Sequence, residues 1–539
     1  MKITACSIVK NEAQNIARSI ESYRAAVDEI IIVDTGSTDE TVKICCELGA
    51  KVLYFPWNSN FAEAKNYALE NAKGDWVVFL DADEWFNPKA DRIQIESIIG
   101  SISSIADGLM VEMCEYDNVR NRVFAHDLAT RIFRNRPEIR YFGSIHEILK
   151  KNGERLVVTI SREIKIYHSG YSKDILPQKL KRNLENLYKI YNNGDISTSN
   201  LYYLFRENYL LKNDDEATKF YKLFMDREDA DIVIEKFNSF ICIYEQMYFI
   251  MERHMDRYTY NDMNCLILKA FNKYPKQPIF SYLIGCQLLQ NHSYEDSLKW
   301  LLQAIELNNS YYEKYVNSFV GYLNDSYCKI GYIYERLQLN DKALTYYINA
   351  LKSPGATDCL YIIPNILNII ESQPQEEIII FLNTILDIKN IEVIKSILSA
   401  LKKTRLHKVF IYYAIKYNKE FDGQDESTYI AMILSGQAET SIEIAIESYN
   451  NNKANYQINS VWHLDYALIG ILYLKEIRIY NMYKIYFTDE QNEIIFAYLA
   501  NKKLFVKNYT LLEQHNKISQ MIFYIFTEEE RNRFKSIIE

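Results

Sequence analysis

The densest group of chemistry-bearing residues in this chain is Asp81-Ala82-Asp83-Glu84, placed directly after the apolar run Trp76 to Leu80. Side chains two apart in an extended segment point the same way, so Asp81 and Asp83 offer two carboxylates to one spot. The run before them reads as a strand buried on both faces, of the kind found inside parallel sheets. The spot then lies at the carboxyl end of a sheet strand, where open α/β folds place their ligands. Paired hard oxygens there suit a divalent cation carrying a phosphate group. Alone, Asp-x-Asp is as much at home in a solvated acidic turn, so the elements around it decide.

Those elements alternate. Lys2 to Val9 is a short strand that ends at Lys10-Asn11-Glu12, and residues 13–26 follow a helical period with Ile16 and Ile20 on one face. Glu29 to Asp34 is a second buried strand, followed by Gly36, which permits a tight turn, and by Ser37, Thr38 or Asp39 as helix caps. That helix runs to Leu48 and stops at Gly49. Lys51 to Phe55 is a third strand, and a helix over 61–72 leads to the strand that carries the acidic motif. Strand-helix alternation of this kind predicts a parallel, doubly wound sheet. Residues 89–100 read as a short helix, and Gly108–Glu112 and Arg131–Arg134 as further strands.

Four pieces stand together here: Cys-Ser-Ile-Val-Lys-Asn-Glu (6–12), Val-Asp-Thr-Gly-Ser-Thr-Asp (33–39), Ala-Lys-Asn-Tyr-Ala-Leu (64–69) and Leu-Asp-Ala-Asp-Glu (80–84). In this order and spacing the chain resembles family 2 glycosyltransferases of the GT-A fold over residues 1–175. The resemblance implies a nucleotide-sugar site formed by Ile8, Val9, Glu12, Asp34, Lys65, Asn66, Asp81, Ala82 and Asp83. Relatives often carry a second Asp at the position of Thr35, and this departure leaves the base that is read open. Gly143-Ser144-Ile145-His146-Glu147 resembles a motif of the same branch, which adds His146 to the donor site and makes Glu147 the candidate general base. Ile164 to Tyr171 resembles the later strand whose His168 completes a metal site with Asp83 and Asp81, for Mn2+ or Mg2+. Arg131, Arg134, Arg136, Lys179 and Arg182 are further candidates for diphosphate or acceptor, and nothing in the sequence selects among them.

Bulk properties narrow the alternatives. The chain has 539 residues, 25% of them charged and 48% apolar, as in a soluble globular protein of two to four domains. A net charge of −9 argues against a nucleic-acid binder that works by phosphate neutralisation. No apolar run reaches the ~18–20 residues of a membrane span, and the amino terminus enters a strand without a signal core. Nine scattered cysteines, with no Cys-x-x-Cys pair, argue against a disulfide framework or zinc ribbon and point to a cytoplasmic location.

From about residue 176 to 539 the pattern is all-helical. Gly285, Ser297 and Ala304 have the same separations as Gly331, Ala343 and Ala350, and Ile284, Leu288 and Leu301 match Ile330, Tyr334 and Tyr347. Small residues spaced this way resemble tetratricopeptide repeats, clearest over 275–355, with a weaker copy around Ala217. The copies are offset by 46 positions, so either the helices are long or an insertion separates the units. Stacked hairpins offer an extended concave surface. The expectation is therefore an α/β GT-A domain at 1–175 and a tetratricopeptide-like helical region at 176–539. Its function would be metal-dependent, inverting transfer of a hexose or N-acetylhexosamine, favouring UDP-GlcNAc, onto Ser or Thr of a protein acceptor such as flagellin. The alternatives are S-glycosylation of a bacteriocin-type peptide, transfer to a lipid-linked or cell-surface glycan, or an inactive scaffold. A homodimer interface is the other use of the helices.

Overall fold

A computed structural model of the chain describes all residues except 104, 145, 171–175, 195, 402, 403, 405, 422–470, 522–525, 527, 539 and several between 473 and 486. The first elements are β1 (Ile3–Val9), α1 (Ile16–Tyr23), β2 (Glu29–Asp34), α2 (Thr41–Glu47), β3 (Lys51–Tyr54) and α3 (Phe61–Asn71). Next come β4 (Trp76–Phe79), β5 (Glu84–Phe86), α4 (Arg92–Ser101), β6 (Gly108–Asp117) and β7 (Arg122–Arg134). A small sheet of β8 (Ile139–Phe142), β9 (Ile148–Lys151) and β10 (Glu154–Arg155) precedes the last long strand, β11 (Val158–His168).

The main sheet has eight strands in the order β3-β2-β1-β4-β7-β6-β11-β5. The first four are mutually parallel, β6 and β11 are parallel, and only β7 and β5 pair antiparallel to their neighbours. This is the mostly parallel α/β architecture expected. Alternation along β4 explains its solid apolar run. Trp76, Val78 and Leu80 enter one core cluster, Val77 and Phe79 the other. Both faces are covered, so no position in the strand can be polar. Strands β6 and β7 run further than the sequence indicated, because their distal halves carry polar residues that break the apolar pattern. The β8–β10 sheet was not anticipated for the same reason.

The change from strands to helices falls between β11 and α5 (Leu176–Asn192). The division into compact units falls later: one unit spans Met1–Leu337 and the other Gln338–Glu539. The first unit continues through α6 (Thr198–Leu210), α7 (Asp214–Met225), α8 (Ala230–Lys236), α9 (Cys242–Arg253), α10 (Tyr260–Lys273), α11 (Pro278–Gln290), α12 (Tyr294–Asn309) and α13 (Leu323–Arg336). The first clear repeat unit is the α11–α12 hairpin. A Cβ on Gly285 would sit 2.8 Å from Leu301 Cγ and 3.2 Å from its backbone nitrogen, so only glycine allows this approach. Ser297 Oγ donates to the Gly285 carbonyl at 2.7 Å, and Ala304 is fully buried.

The helices are of ordinary length, so the 46-residue offset comes from an insertion. Between α12 and α13, residues 310–322 leave the helical stack and lie on the sheet. Asn317 and His126 exchange backbone hydrogen bonds of 3.1 and 2.7 Å, and a Cβ on Gly321 would meet the Phe124 carbonyl at 2.7 Å. Asn238 donates to the Leu128 carbonyl at 3.1 Å. Strand β7 is thus roofed by the helical segment of its own unit.

The second unit begins with α14 (Asn340–Lys352), on which the repeat residues Ala343 and Ala350 are buried. It continues with α15 (Ile363–Ile370), α16 (Gln375–Ile385), α17 (Ile391–Leu401) and α18 (His407–Phe421), and with later helices at Asp489–Leu499, Tyr509–Met521 and Glu528–Lys535. All nine cysteines are free thiols. No helix among the described residues is long and apolar enough to cross a membrane.

Candidate active site

Strands β2, β1 and β4 are parallel neighbours, so their carboxyl ends share one edge of the sheet, and the loops leaving β1 and β2 are pinned together. Thr35 donates both its backbone nitrogen and its hydroxyl to the Val9 carbonyl, each at 3.0 Å. Asn11, in the left-handed region at φ 57°, accepts from the Thr38 nitrogen at 2.7 Å. The Glu12 nitrogen donates to Thr41 Oγ1 at 2.7 Å, and the Glu12 carboxylate accepts from Asn15 Nδ2 at 2.9 Å. Asp34 is buried, and its carboxylate accepts from the Gly36 and Ser37 nitrogens at 3.1 Å. It therefore shapes the loop at this end of β2, with half-buried Ile8 and buried Val9 as the floor.

At the end of β4 the acidic motif turns tightly, with the Glu84 nitrogen donating to the Asp81 carbonyl at 3.0 Å. The two aspartates have different surroundings. Asp81 Oδ1 is 2.8 Å from Lys65 Nζ, and its Oδ2 is 3.5 Å from Arg131. Burial pushes the Asp81 carboxyl up, but Lys65 and Arg131 pull it down further, to about 2. Arg131 makes a two-pronged pair with Glu84 at 2.8 and 2.6 Å, and Glu84 also accepts from the Asp81 nitrogen at 3.1 Å. Glu84 is 1% exposed, a buried charge fully engaged by these donors.

Lys65 reaches into the same cluster from α3. Its ammonium lies 2.8 Å from Asp81 and 2.7 Å from Glu147, above the rings of Phe79 and Tyr141 at 5.2 and 5.3 Å. Burial disfavours its charge; the two carboxylates outweigh that and hold its pKa above the ordinary lysine value. The result is a chain of alternating charge, Glu147–Lys65–Asp81–Arg131–Glu84. Asn66, the next residue of α3, forms a reciprocal pair with the Tyr141 backbone at 2.9 and 2.8 Å. Its amide fastens α3 to β8.

Asp83 belongs to a second constellation. Its Oδ2 is 3.6 Å from His168 Nε2, while His168 Nδ1 is 2.8 Å from Glu115 Oε2. Burial lowers the imidazole pKa, but Glu115 and Asp83 raise it more, and the net shift is well upward. A histidine whose far nitrogen is held by a carboxylate, with Nε2 turned toward an aspartate oxygen, has the ligand types and the orienting partner of a divalent-ion site. The Asp83–His168 donor set therefore fits such an ion. Asp81, expected as a third ligand, has its two oxygens directed at two cations instead. The Asp83 carbonyl accepts from the Ser169 nitrogen at 3.1 Å, and Arg18 holds the Ser169 hydroxyl at 3.1 Å while stacking 3.5 Å over Trp85.

His146 lies elsewhere. Its ring stacks on Tyr203 of α6 with centroids 3.7 Å apart and planes 7° off parallel, and Nε2 is 4.0 Å from buried Glu207. Burial, with a contribution from Arg206, lowers its pKa to about 3, so it is neutral at physiological pH. It takes the left-handed backbone at φ 52°, one residue before Glu147. The structure thus brings together Lys65, Asp81, Ala82, Asp83, Glu147 and His168, while His146 faces the helical segment. Sequence reasoning did not identify Glu84 as the partner of Arg131, Glu115 as the residue that orients His168, or Tyr203. Glu115 could have been found by carrying the β6 alternation past Glu112. Nothing local marks Tyr203.

Residues 4–144 match the model of glycosyl transferase family 2. A TPR repeat-containing protein of Synechococcus elongatus is 33% identical over 185 residues, covering 33% of this chain and 44% of that protein. The prophage-derived glycosyltransferase SunS of Bacillus subtilis is 25% identical over 293 residues, covering 53% of this chain and 67% of its own. Among solved structures, TarS of S. aureus overlaps 49% of this chain and 55% of its own at 16% identity and a TM-score of 0.27, too low to add to the argument. The chain thus spans about half the length of the first of these relatives.

Proposed function

We propose that this chain, whose N-terminal region is a family 2 glycosyl transferase domain, moves a hexose or N-acetylhexosamine from a nucleotide diphosphate onto a protein. The favoured donor is UDP-GlcNAc and the favoured acceptor atom a Ser or Thr hydroxyl, with flagellin as the type of acceptor. The observation that carries this reading is the split of the acidic motif. Asp83 faces a carboxylate-oriented histidine, while Asp81 anchors the cation pair Lys65 and Arg131.

In this reading Asp83 and His168 hold a Mg2+ or Mn2+ ion, whose contribution when bound is to compensate charge on the departing diphosphate. Glu115 keeps His168 Nε2 turned toward that position. Lys65 and Arg131 lie behind Asp81 and keep it ionised at any physiological pH. The pinned loops at the ends of β1 and β2 form the floor on which the nucleotide base and ribose rest. Glu147 takes the proton of the attacking hydroxyl, a step worth ~10²–10⁴ in rate. Its Oε1 is 2.7 Å from Lys65, so the carboxylate is fixed before the acceptor arrives. Displacement from the face opposite the leaving group inverts the anomeric centre. The helical segments present the polypeptide, for which stacked hairpins are suited.

A second reading keeps the donor chemistry and changes the acceptor to a peptide Cys thiol, or to a lipid-linked or cell-surface glycan. Incubation with a panel of nucleotide sugars and host-cell extract, read by intact-protein mass spectrometry, separates these readings. We expect one added hexose or N-acetylhexosamine on a polypeptide, lost in Asp83→Ala and in the presence of a chelator. Mass appearing only in lipid or glycan fractions would sink the protein-acceptor reading, and no turnover with any donor would favour an inactive scaffold.

A further inference from the structure

Away from the acidic motif, the described residues contain a cluster that combines a thiol, an imidazole and a carboxylate. Glu112 and Cys114 are two apart on β6 and so share a face, and His126 on β7 stands directly opposite Cys114 in the ladder. One ligand atom from each lies within 4.8 Å of the other two. Alternation puts this face opposite Val111 and Glu115, so the cluster lies across the sheet from His168. Cys114 and Glu112 are 1% and 5% exposed, whereas the His126 side chain is 29% exposed and gives an entry path.

We propose that Glu112, Cys114 and His126 form a second metal site, for a borderline-to-soft divalent ion such as zinc. Thiolate, imidazole and carboxylate are the zinc ligand types, and three of them leave a fourth position for water. Ligand atoms on a tetrahedral zinc ion stand about 3.5 Å apart, within reach of this cluster by small side-chain rotations. A hard ion such as Mg2+ has no reason to choose a set containing a thiol, which separates this site chemically from Asp83 and His168.

The surroundings fit a site that fills and empties. His126 Nδ1 lies 2.7 Å from Glu112 Oε1, and Lys165 Nζ lies 3.4 Å from the same oxygen. When no ion is bound, the Lys165 ammonium faces the carboxylate's charge and the imidazole lies within hydrogen-bonding distance of it. The Lys165 side chain is 44% exposed and can turn into solvent when an ion takes its place. Burial, with Glu112 beside it, pushes the Cys114 thiol up to about 12, so ion binding must release its proton. The His126 backbone pairs in both directions with Asn317. An ion here would therefore brace the β6–β7 hairpin at the place where the inserted segment docks.

The test uses untagged full-length protein, stripped with chelator and titrated with Co2+ as a spectroscopic stand-in for zinc, followed by displacement with Zn2+. We expect thiolate-to-metal charge-transfer absorption that saturates at one equivalent of cobalt per chain, separate from any cobalt taken up without that band at Asp83 and His168. Cys114→Ser should abolish that absorption, and His126→Gln should weaken binding at least tenfold. Asp83→Asn should leave it unchanged, and Lys165→Gln should tighten binding by removing the competing ammonium. Circular dichroism of each variant separates ligand loss from misfolding. Absence of the charge-transfer band in folded wild-type protein, or its persistence in Cys114→Ser, overturns the proposal.

Discussion

Replacing Lys65 with Met tests the charge chain most directly. The substitution keeps the length of the side chain and removes the cation between Asp81 and Glu147. Breaking a buried pair from one side typically costs about 3–5 kcal/mol, because the partner keeps its charge without compensation. The Asp81 side chain is 35% exposed and Glu147 14%, so water offsets part of the loss and the lower end applies, about 3 kcal/mol. For a unit of this size that amounts to a fall in Tm of roughly 5 °C. The pH dependence makes the test specific. The Asp81 pKa is lowered from 3.8 to about 2 in the folded protein, so its contribution is complete above about pH 4 and is lost as the pH falls toward 2. The Lys65 pKa is raised, so its contribution is complete below the ordinary lysine value and is lost only in strong alkali. At neutral pH both are present. The gap in Tm between wild type and variant should therefore be widest near pH 7 and narrow between pH 4 and 2, and Asp81→Asn in the same background should add little. A Tm unchanged at pH 7, or a gap that persists into acid, would mean that Lys65 does not hold Asp81 and Glu147 together.

Other perturbations follow from single contacts. Glu115→Gln leaves His168 without its orienting carboxylate, and loss of such a partner typically costs 10–100-fold in metal affinity; manganese titration of donor turnover reads it. Tyr203→Ala uncovers His146, whose pKa should climb from about 3 toward the ordinary 6.5, so that its ring protons titrate near neutral pH by NMR in the variant and not in wild type. Gly285→Ala forces a Cβ to within 2.8 Å of Leu301 Cγ and 3.2 Å of its backbone nitrogen, and should cost about 1–3 kcal/mol by denaturant titration with no change in donor hydrolysis.

Much of the N-terminal α/β region was legible because its signals are local. The run Trp76 to Leu80 reads as a strand covered on both sides, and the carboxylates that end it follow at the carboxyl edge of the sheet. The same holds for the small residues of the α11–α12 hairpin, whose spacing records a helix contact. What sequence could not show were relations made by folding at a distance. Lys65 and Asn66 are adjacent and similar in pattern, yet one is drawn into the acidic cluster and the other ties α3 to β8. Glu115 acquires its role only because β11 pairs with β6 in a register that sets His168 beside it. His146 is assigned to the donor site by the motif it shares with Glu147, a local pattern that carries no sign of the ring's stacking on Tyr203 of α6. An insertion at 310–322 hid the repeat period, since only the fold shows where those residues go.

The docking of residues 310–322 on β7 bears on how such a protein can be cut and recombined. A fragment ending near residue 175 would carry the whole acidic motif, yet its β7 would lose the partners that Asn238, Asn317 and Gly321 supply. That fragment should come out insoluble or sticky, whereas a break at 337/338 passes between compact units. Recombination between such chains should therefore give soluble, folded products when the join is placed at the later seam. The early helices are then part of the body of the first unit and cannot be treated as an appendage to its sheet.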